Sequence, residues 1–155
     1  MAAVMDIRKI LFATDFSKSS GHALDYAILM AKKFSSQIHL LHVVQPVPPL
    51  VADLAFTSAG LHTGSFAFLR HSQEHLGAIA EKIGLAGIHV TVHCREGLPY
   101  DEIMAMAEEQ MVDLIVLGTH GLTGLSHVLM GSVAEQIVRN ANSPVLTVRH
   151  PDFGN

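Results

Sequence analysis

Charge is what this sequence is shortest of. Only 15% of its residues are charged, against about 25% in a typical soluble domain. With 49% hydrophobic residues, that share excludes a disordered tail, a coiled coil and a densely charged helix array. Basic residues number 10 against 14 acidic ones, for a net charge of −4. No cluster of Lys or Arg occurs, so the electrostatic footprint of a nucleic-acid-binding surface is missing. Cysteine is limited to Cys94, which excludes an internal disulfide framework and fits a reducing compartment. In its alternating run Cys94 reads as a small strand hydrophobe rather than a reactive thiol. No apolar run approaches the roughly 18 residues of a membrane span. Met1 to Lys9 carries charges where a secretory leader needs its apolar stretch. The expectation is a cytoplasmic chain with neither a membrane nor a nucleic-acid partner.

At 155 residues the chain is about one domain long and can bury a sizeable core without staples. Short apolar runs alternate with periodic segments. Ile10 to Ala13 is a strand-length run, followed by a stretch rich in helix-starting Thr, Asp and Ser. Ala23, Leu24, Ala27, Ile28, Ala31 and Phe34 then recur at helical spacing. Ile38 to Val44 reads as a second strand, ended by Pro46, Pro48 and Pro49. A flexible connection is expected over 45–64. Leu69, Leu76, Ile79, Ala80 and Ile83 predict a second helix, capped by Ser65.

Ile88 to Cys94 alternates as a third strand, with Ile88, Val90, Val92 and Cys94 on one face. Pro99 opens a third helix, with Asp101 and Glu102 at its positive dipole end. Its buried stripe is expected at Ile103, Met104, Ala107 and Met111. Val112 to Leu117 predicts a fourth strand, Val133 to Ala141 a fourth helix, and Val145 to Val148 a last strand, with a tail at 150–155. Strands apolar on both faces, joined by helices, predict a doubly wound α/β domain with a parallel sheet. No internal repeat or second domain is visible, so residues 1–155 read as one domain.

In such sheets ligands sit at the carboxyl ends of the strands, where strand order reverses. Three strand ends qualify: Thr14-Asp15, Val43-Val44 and Leu117-Gly118. The last opens a connection too long for an ordinary strand-to-helix turn of about 2–6 residues, containing Gly118, Gly121 and Gly131-Ser132. Gly118 and Gly121 let the backbone turn sharply and approach a ligand. Gly131-Ser132 stands at a helix start, where free N–H groups favour an anion. No GxxxxGK[ST] phosphate loop or GxGxxG fingerprint is present, and residues 118–138 hold no Lys or Arg. Any phosphate would rely on backbone N–H groups, Ser132 and the helix dipole, with or without a metal ion. From spacing alone, two readings stay open: a phosphate site, or glycines that only make turns.

Gly118-x2-Gly121-x9-Gly131-Ser132 resembles the nucleotide motif G-x2-G-x9-G-[ST] of the universal stress protein family. The resemblance covers nearly the whole chain. Ile10 to Ser17 is similar to the family's opening strand and Leu40 to Val44 to its second. Gly97-Leu98-Pro99, Asp113 to Gly118 and Ser143 to Val148 follow in the family's order. Ala13 stands where the family often has proline, and Leu117 where it often has methionine. The resemblance implies a Rossmann-like fold with a five-stranded parallel sheet of order 3-2-1-4-5 and four main helices. It implies ATP, with or without Mg2+, at the reversal. Val43 would meet the adenine edge through its backbone. Ala13 and Asp15 would lie by adenine and ribose, Asp15 accepting from ribose hydroxyls beside Gly118. Thr14, Gly121, Gly131, Ser132 and Val133 would surround the triphosphate, with Leu117 also in the set. It further implies a homodimer paired through 145–148 and a sensor or switch role in stress tolerance toward a client protein.

Eleven histidines add candidates. His120 lies inside the glycine loop, where it reaches phosphate or points to solvent. His71 and His75, four apart on a predicted helix, have a spacing that can share a metal. With no third ligand identifiable, a solvated helix face is the competing reading and no metal site is assigned. His39 and His42 fall on opposite strand faces, as do His93 and Cys94. No catalytic residue is assigned: no Ser-His-acid or Cys-His arrangement is traceable, and no cation awaits a transferred phosphoryl group. A slow ATP hydrolase and a ligand-free dimeric interaction module stand as the alternatives to a nucleotide-dependent switch.

Overall fold

The strands form because runs such as Ile10-Leu11-Phe12 have an apolar surface to cover on both sides of one sheet. The computed structural model describes residues 6–46, 63–121 and 130–153. The elements run β1 (Lys9–Ala13), α1 (Lys18–Phe34), β2 (Gln37–Val44), α2 (Thr63–Leu85), β3 (Val90–Glu96), α3 (Pro99–Gln110), β4 (Leu114–Gly118), α4 (Ser132–Asn140) and β5 (Val145–Val148), with a 3-10 turn at Pro151–Phe153. The sheet is parallel with order β3-β2-β1-β4-β5, so the doubly wound α/β fold is observed. Most of the 45–64 connection, residues 1–5, 122–129 and the last two residues of the tail lie outside the described residues.

Side-chain alternation along the strands divides the interior in two. Ile10, Phe12, Ile38, Leu40, Leu114, Val116 and Val148 pack against Ala23, Leu24, Ala27 and Ala31 of α1 and Leu76 and Ile83 of α2. Leu11, Ala13, Leu41, Ile115 and Leu117 pack against Ile103, Met106 and Ala107 of α3 and Ala134 and Ile137 of α4. In register, Ile10 of β1 lies between Ile38 and Leu114, and Phe12 between Leu40 and Val116. Asp113 sets the start of β4, where Oδ2 accepts the N–H groups of Arg8 and Lys9, both at 2.9 Å. Val112 is buried just ahead of the strand rather than inside it. Among the described residues, no helix is long and apolar enough to cross a membrane.

Four expectations are corrected. Ser65 stands inside α2, which spans Thr63–Leu85, and not at its cap. On α3 the buried methionine is Met106, while Met111 is 74% exposed. Met111 is the left-handed C-cap of the helix, with φ 51°, and that reversal carries its side chain away from the stripe. Val92 and Cys94 are exposed rather than facing the core with Ile88 and Val90, because β3 is an edge strand. Phe34 and Leu69, placed on helix stripes by spacing, are exposed at their helix surfaces.

One polar pair sits inside the α3 side of the sheet. His39 on β2 is buried, and its Nδ1 lies 3.1 Å from Nε2 of His93 on β3, the rings stacked at 5.4 Å. The hydrogen bond needs one N–H and one lone pair, so it fails once both rings carry two protons. His39 Nε2 is buried with no partner among the described residues. Burial holds both imidazoles below their ordinary range; His93 and Lys9 add to this at His39, and Arg95 at His93. His89 acts on His39 in the same direction, while Glu109 opposes the shift at His93. A depressed folded-state pKa means that the unfolded chain binds more protons. The associated stability is complete above the unfolded value of about 6.5 and is lost as pH falls toward the depressed folded values. The melting temperature should decline below about pH 6.5, and a His39→Leu variant should show a shallower decline. Equal slopes for variant and wild type over pH 8 to 5 would refute this account.

Candidate functional site

The carboxyl ends of β1, β2 and β4 open into one crevice of about 520 Å³, within the usual size range of small-molecule sites. Ala13, Thr14 and Asp15 leave β1, Val43 is the penultimate residue of β2, and Leu117 and Gly118 end β4. His120 and Gly121 follow β4, and Gly131, Ser132 and Val133 start α4. All of these predicted site residues line this crevice. Reasoning from sequence missed Ser20, His42, Gln45, Thr119, Pro99 and Ile103, which line it as well. Gln45 and Thr119 directly follow strands and could have been named from that position. Ser20, Pro99 and Ile103 arrive through helix packing, which leaves no local signal.

Hydrogen bonds fix the β1 end. Asp15 Oδ1 accepts the Ser17 N–H at 3.0 Å and Thr14 Oγ1 accepts the Phe16 N–H at 3.1 Å. Between them Phe16 takes φ 63°, a left-handed conformation uncommon for a bulky residue. Ser17 caps α1 by accepting the Ser20 N–H at 3.2 Å. The Thr14 hydroxyl also lies 3.1 Å from Ser20 Oγ, so it is bound into the turn. His42 is buried, and its Nδ1–H donates to the Thr14 carbonyl oxygen at 2.8 Å. The Phe16 ring packs on His42 at 4.2 Å and on His75 of α2 at 5.0 Å.

Across the crevice, Thr119 and His120 are buried and joined through Thr119 Oγ1 and His120 Nδ1 at 2.8 Å. The Thr119 N–H donates to Val148 of β5 at 3.0 Å, and the Thr119 carbonyl accepts the Gly131 N–H at 2.6 Å. These bonds pin both ends of the glycine-containing connection. Gly131 is the N-cap of α4 and offers no side-chain cap. The N–H groups of Ser132, Val133 and Ala134 therefore open the helix without intrahelical acceptors, and all three residues line the crevice. Among the described lining residues none is Lys or Arg. The site thus offers a carboxylate at Asp15, a helix N-terminus opposite, and apolar walls from Ala13, Val43, Leu117 and Ile103.

At Gly118 and Gly121 the backbone conformation does not call for the freedom that the spacing suggested. Neither Gly118 nor Gly121 has a positive φ, so neither is needed for a left-handed turn. A Cβ at Gly118 would lie 2.8 Å from the Ser19 carbonyl carbon and 2.9 Å from the Ser20 nitrogen, in the backbone of α1. One at Gly121 would lie 2.8 Å from Asp15 Oδ2, and one at Gly131 3.1 Å from the Thr119 oxygen. Gly118 is therefore a packing requirement between β4 and α1, while Gly121 leaves room for the Asp15 carboxylate.

Comparison with known proteins gives a consistent picture. The model of the Universal stress protein family matches residues 6–149. Universal stress protein MJ0531 of Methanocaldococcus jannaschii is 38% identical over 144 residues, covering 93% of this chain and 83% of that protein. The solved structure of MJ0577, a universal stress protein of the same organism, superposes with TM-score 0.79 at 29% identity, covering 95% of this chain and 98% of that one. The universal stress protein from Archaeoglobus fulgidus in complex with dAMP shares the fold, with TM-score 0.65 at 20% identity over 94% of this chain and 99% of that one.

The two glycine environments separate experimentally. Gly118→Ala drives a methyl into backbone and should cost about 1–3 kcal/mol, read as a melting temperature lower by several degrees. Gly121→Ala meets only a carboxylate that can rotate, and should melt within about a degree of wild type. Equal losses in the two variants would contradict the packing role of Gly118.

Proposed function

The chain belongs to the universal stress protein family, and from that membership we propose that it is an adenine-nucleotide-binding member whose crevice holds ATP or a related adenylate. The observation that carries this reading is the convergence of Asp15, the glycine-lined approach and the open N-terminus of α4 on one cavity between β1 and β4. Val43 meets the adenine edge through its backbone. Ala13 and Asp15 lie by adenine and ribose, with Asp15 accepting from ribose hydroxyls beside Gly118. Thr14, Gly121, Gly131, Ser132 and Val133 surround the phosphates, with Leu117 as apolar wall and His120 at the phosphate side. That the A. fulgidus protein carries dAMP supports an adenylate as the ligand class.

Charge decides how the nucleotide lies. The Asp15 carboxylate repels phosphate and suits hydroxyl donors, whereas the α4 N-terminus presents about half a positive charge and free N–H groups. The ribose therefore lies at the Asp15 carboxylate, and the phosphates run from there toward the start of α4. No Lys or Arg is among the described lining residues, so a Mg2+ ion, where it accompanies the triphosphate, would supply neutralising charge. In this reading the nucleotide biases the segments continuing from Gln45 and Gly121, and so alters the surface shown to a client protein in the cytoplasm. Calorimetry on the full chain should detect ATP binding, weakened at least about tenfold in Gly121→Val and in Gly131→Val. Unchanged affinity in both variants would sink the assignment.

The strand β5 supports the second element of the reading, a homodimer. It stands at the edge of the sheet with Val145, Leu146 and Thr147 only partly buried, and an open apolar edge is a pairing surface. Pairing of Val145–Val148 with its twofold copy predicts a dimer in sedimentation velocity at micromolar concentration. A monomer under those conditions removes this element and leaves the nucleotide site standing.

A further inference from the structure

His71 and His75 lie one helical turn apart on α2, both exposed, with ring centroids 4.1 Å apart and tilted by 60°. Residues four apart on a helix share a face, so proximity follows from the spacing. The hydrogen bonding adds something that spacing does not supply. His75 Nδ1 lies 2.9 Å from the His71 carbonyl oxygen. A carbonyl only accepts, so Nδ1 carries the proton, and in the neutral ring the lone pair is at Nε2. Metal-bound histidines are held in the same way, one ring nitrogen donating to a carbonyl and the other left to ligate. Phe16 packs against His75 at 5.0 Å and restrains the ring further.

We propose that His71 and His75 form a two-histidine site for a divalent transition-metal ion, with zinc as its representative. Imidazole nitrogens suit zinc, copper and nickel rather than magnesium or calcium, which prefer oxygen. Among the described residues no group of three His, Cys, Asp or Glu side chains gathers, so the ion takes two protein nitrogens and keeps water in its other positions. An exposed helix face permits that arrangement, and the bound ion remains exchangeable. The other histidine pairs lack these features. His39 and His93 face each other nitrogen to nitrogen at 3.1 Å, whereas an ion between them would need about 2 Å on each side. His22 and His150 are 5.7 Å apart on separate elements, and His150 faces Asp152. The site is distinct from the nucleotide crevice and does not depend on that reading.

The test uses the full chain without an affinity tag, titrated calorimetrically with zinc chloride in a phosphate-free buffer near pH 7.5. One zinc per chain is expected. His71→Ala, His75→Ala and the double variant should each weaken binding by about tenfold or more, whereas His22→Ala should leave it unchanged. Because both side chains are exposed, the variants should keep the wild-type circular dichroism spectrum. Zinc bridging one turn of α2 should also raise the melting temperature of the wild type and not that of the double variant. Failure of the wild type to bind zinc overturns the proposal. So does a double variant that binds as the wild type does, or loss of the site in His22→Ala.

Discussion

The close approach of α1 to the end of β4 is the constraint on which the site rests. At Gly118 there is no space for even a methyl group, because the backbone of Ser19 and Ser20 occupies it. That contact exists because β1 and β4 are neighbours in a sheet whose order reverses there, so the helix leaving β1 crosses the end of β4. It brings the Asp15 turn and the Gly121 backbone together, with Asp15 Oδ2 where a Gly121 side chain would be. The α4 N-terminus is then drawn in by the bond from Gly131 to Thr119. A larger residue at position 118 would push α1 outward and loosen everything that depends on its first turn.

Electrostatics gives the crevice its direction. A cavity lined by Lys would hold phosphate in many orientations, since a compact charge on a flexible stem selects poorly among them. Here the favourable potential comes from N–H groups fixed at the start of α4, and the single described carboxylate in the lining comes from Asp15 across the cavity. A ligand with a hydroxyl-bearing end and an anionic end fits one way round. The low charge of the sequence thus has a local counterpart: the site works with backbone dipoles, and the surrounding sheet is apolar because both faces are covered.

Much of this was legible in the sequence, for physical reasons that also mark where legibility stopped. Ile10 to Phe12 and Leu114 to Val116 are apolar at every position, and only strands covered on both faces need that; hence the parallel sheet could be read directly. The positions of Asp15, Gly118, Gly121 and Gly131 were readable because strand ends in this topology converge. The reasons for the glycines were not. Spacing suggested backbone freedom, whereas Gly118 answers to α1, far from it in sequence but close in space. Met111 misled because helical periodicity does not announce where a left-handed C-cap interrupts it. His39 and His93 were judged separately because their meeting depends on the register of β2 against β3, which sets His93 opposite Leu41. Register across a parallel pair is a property of two distant segments and has no local mark in either.

The same limit explains why the ring contacts around Phe16 came only from the structure. Phe16 occupies a left-handed conformation, and its ring packs at the margin of the first core in contact with both His42 and His75. His42 in turn donates to the carbonyl of Thr14, whose hydroxyl anchors the turn bearing Asp15. A bulky residue in that conformation is maintained only where its surroundings outweigh a cost on the order of 1–3 kcal/mol. The rings supply part of that compensation, so the Asp15 turn is held from the α2 side as well as from α1. The geometry of the crevice therefore rests on two helices packed on one face of the sheet, with His75, Phe16 and His42 forming a continuous run of contacts between α2 and the turn that bears Asp15.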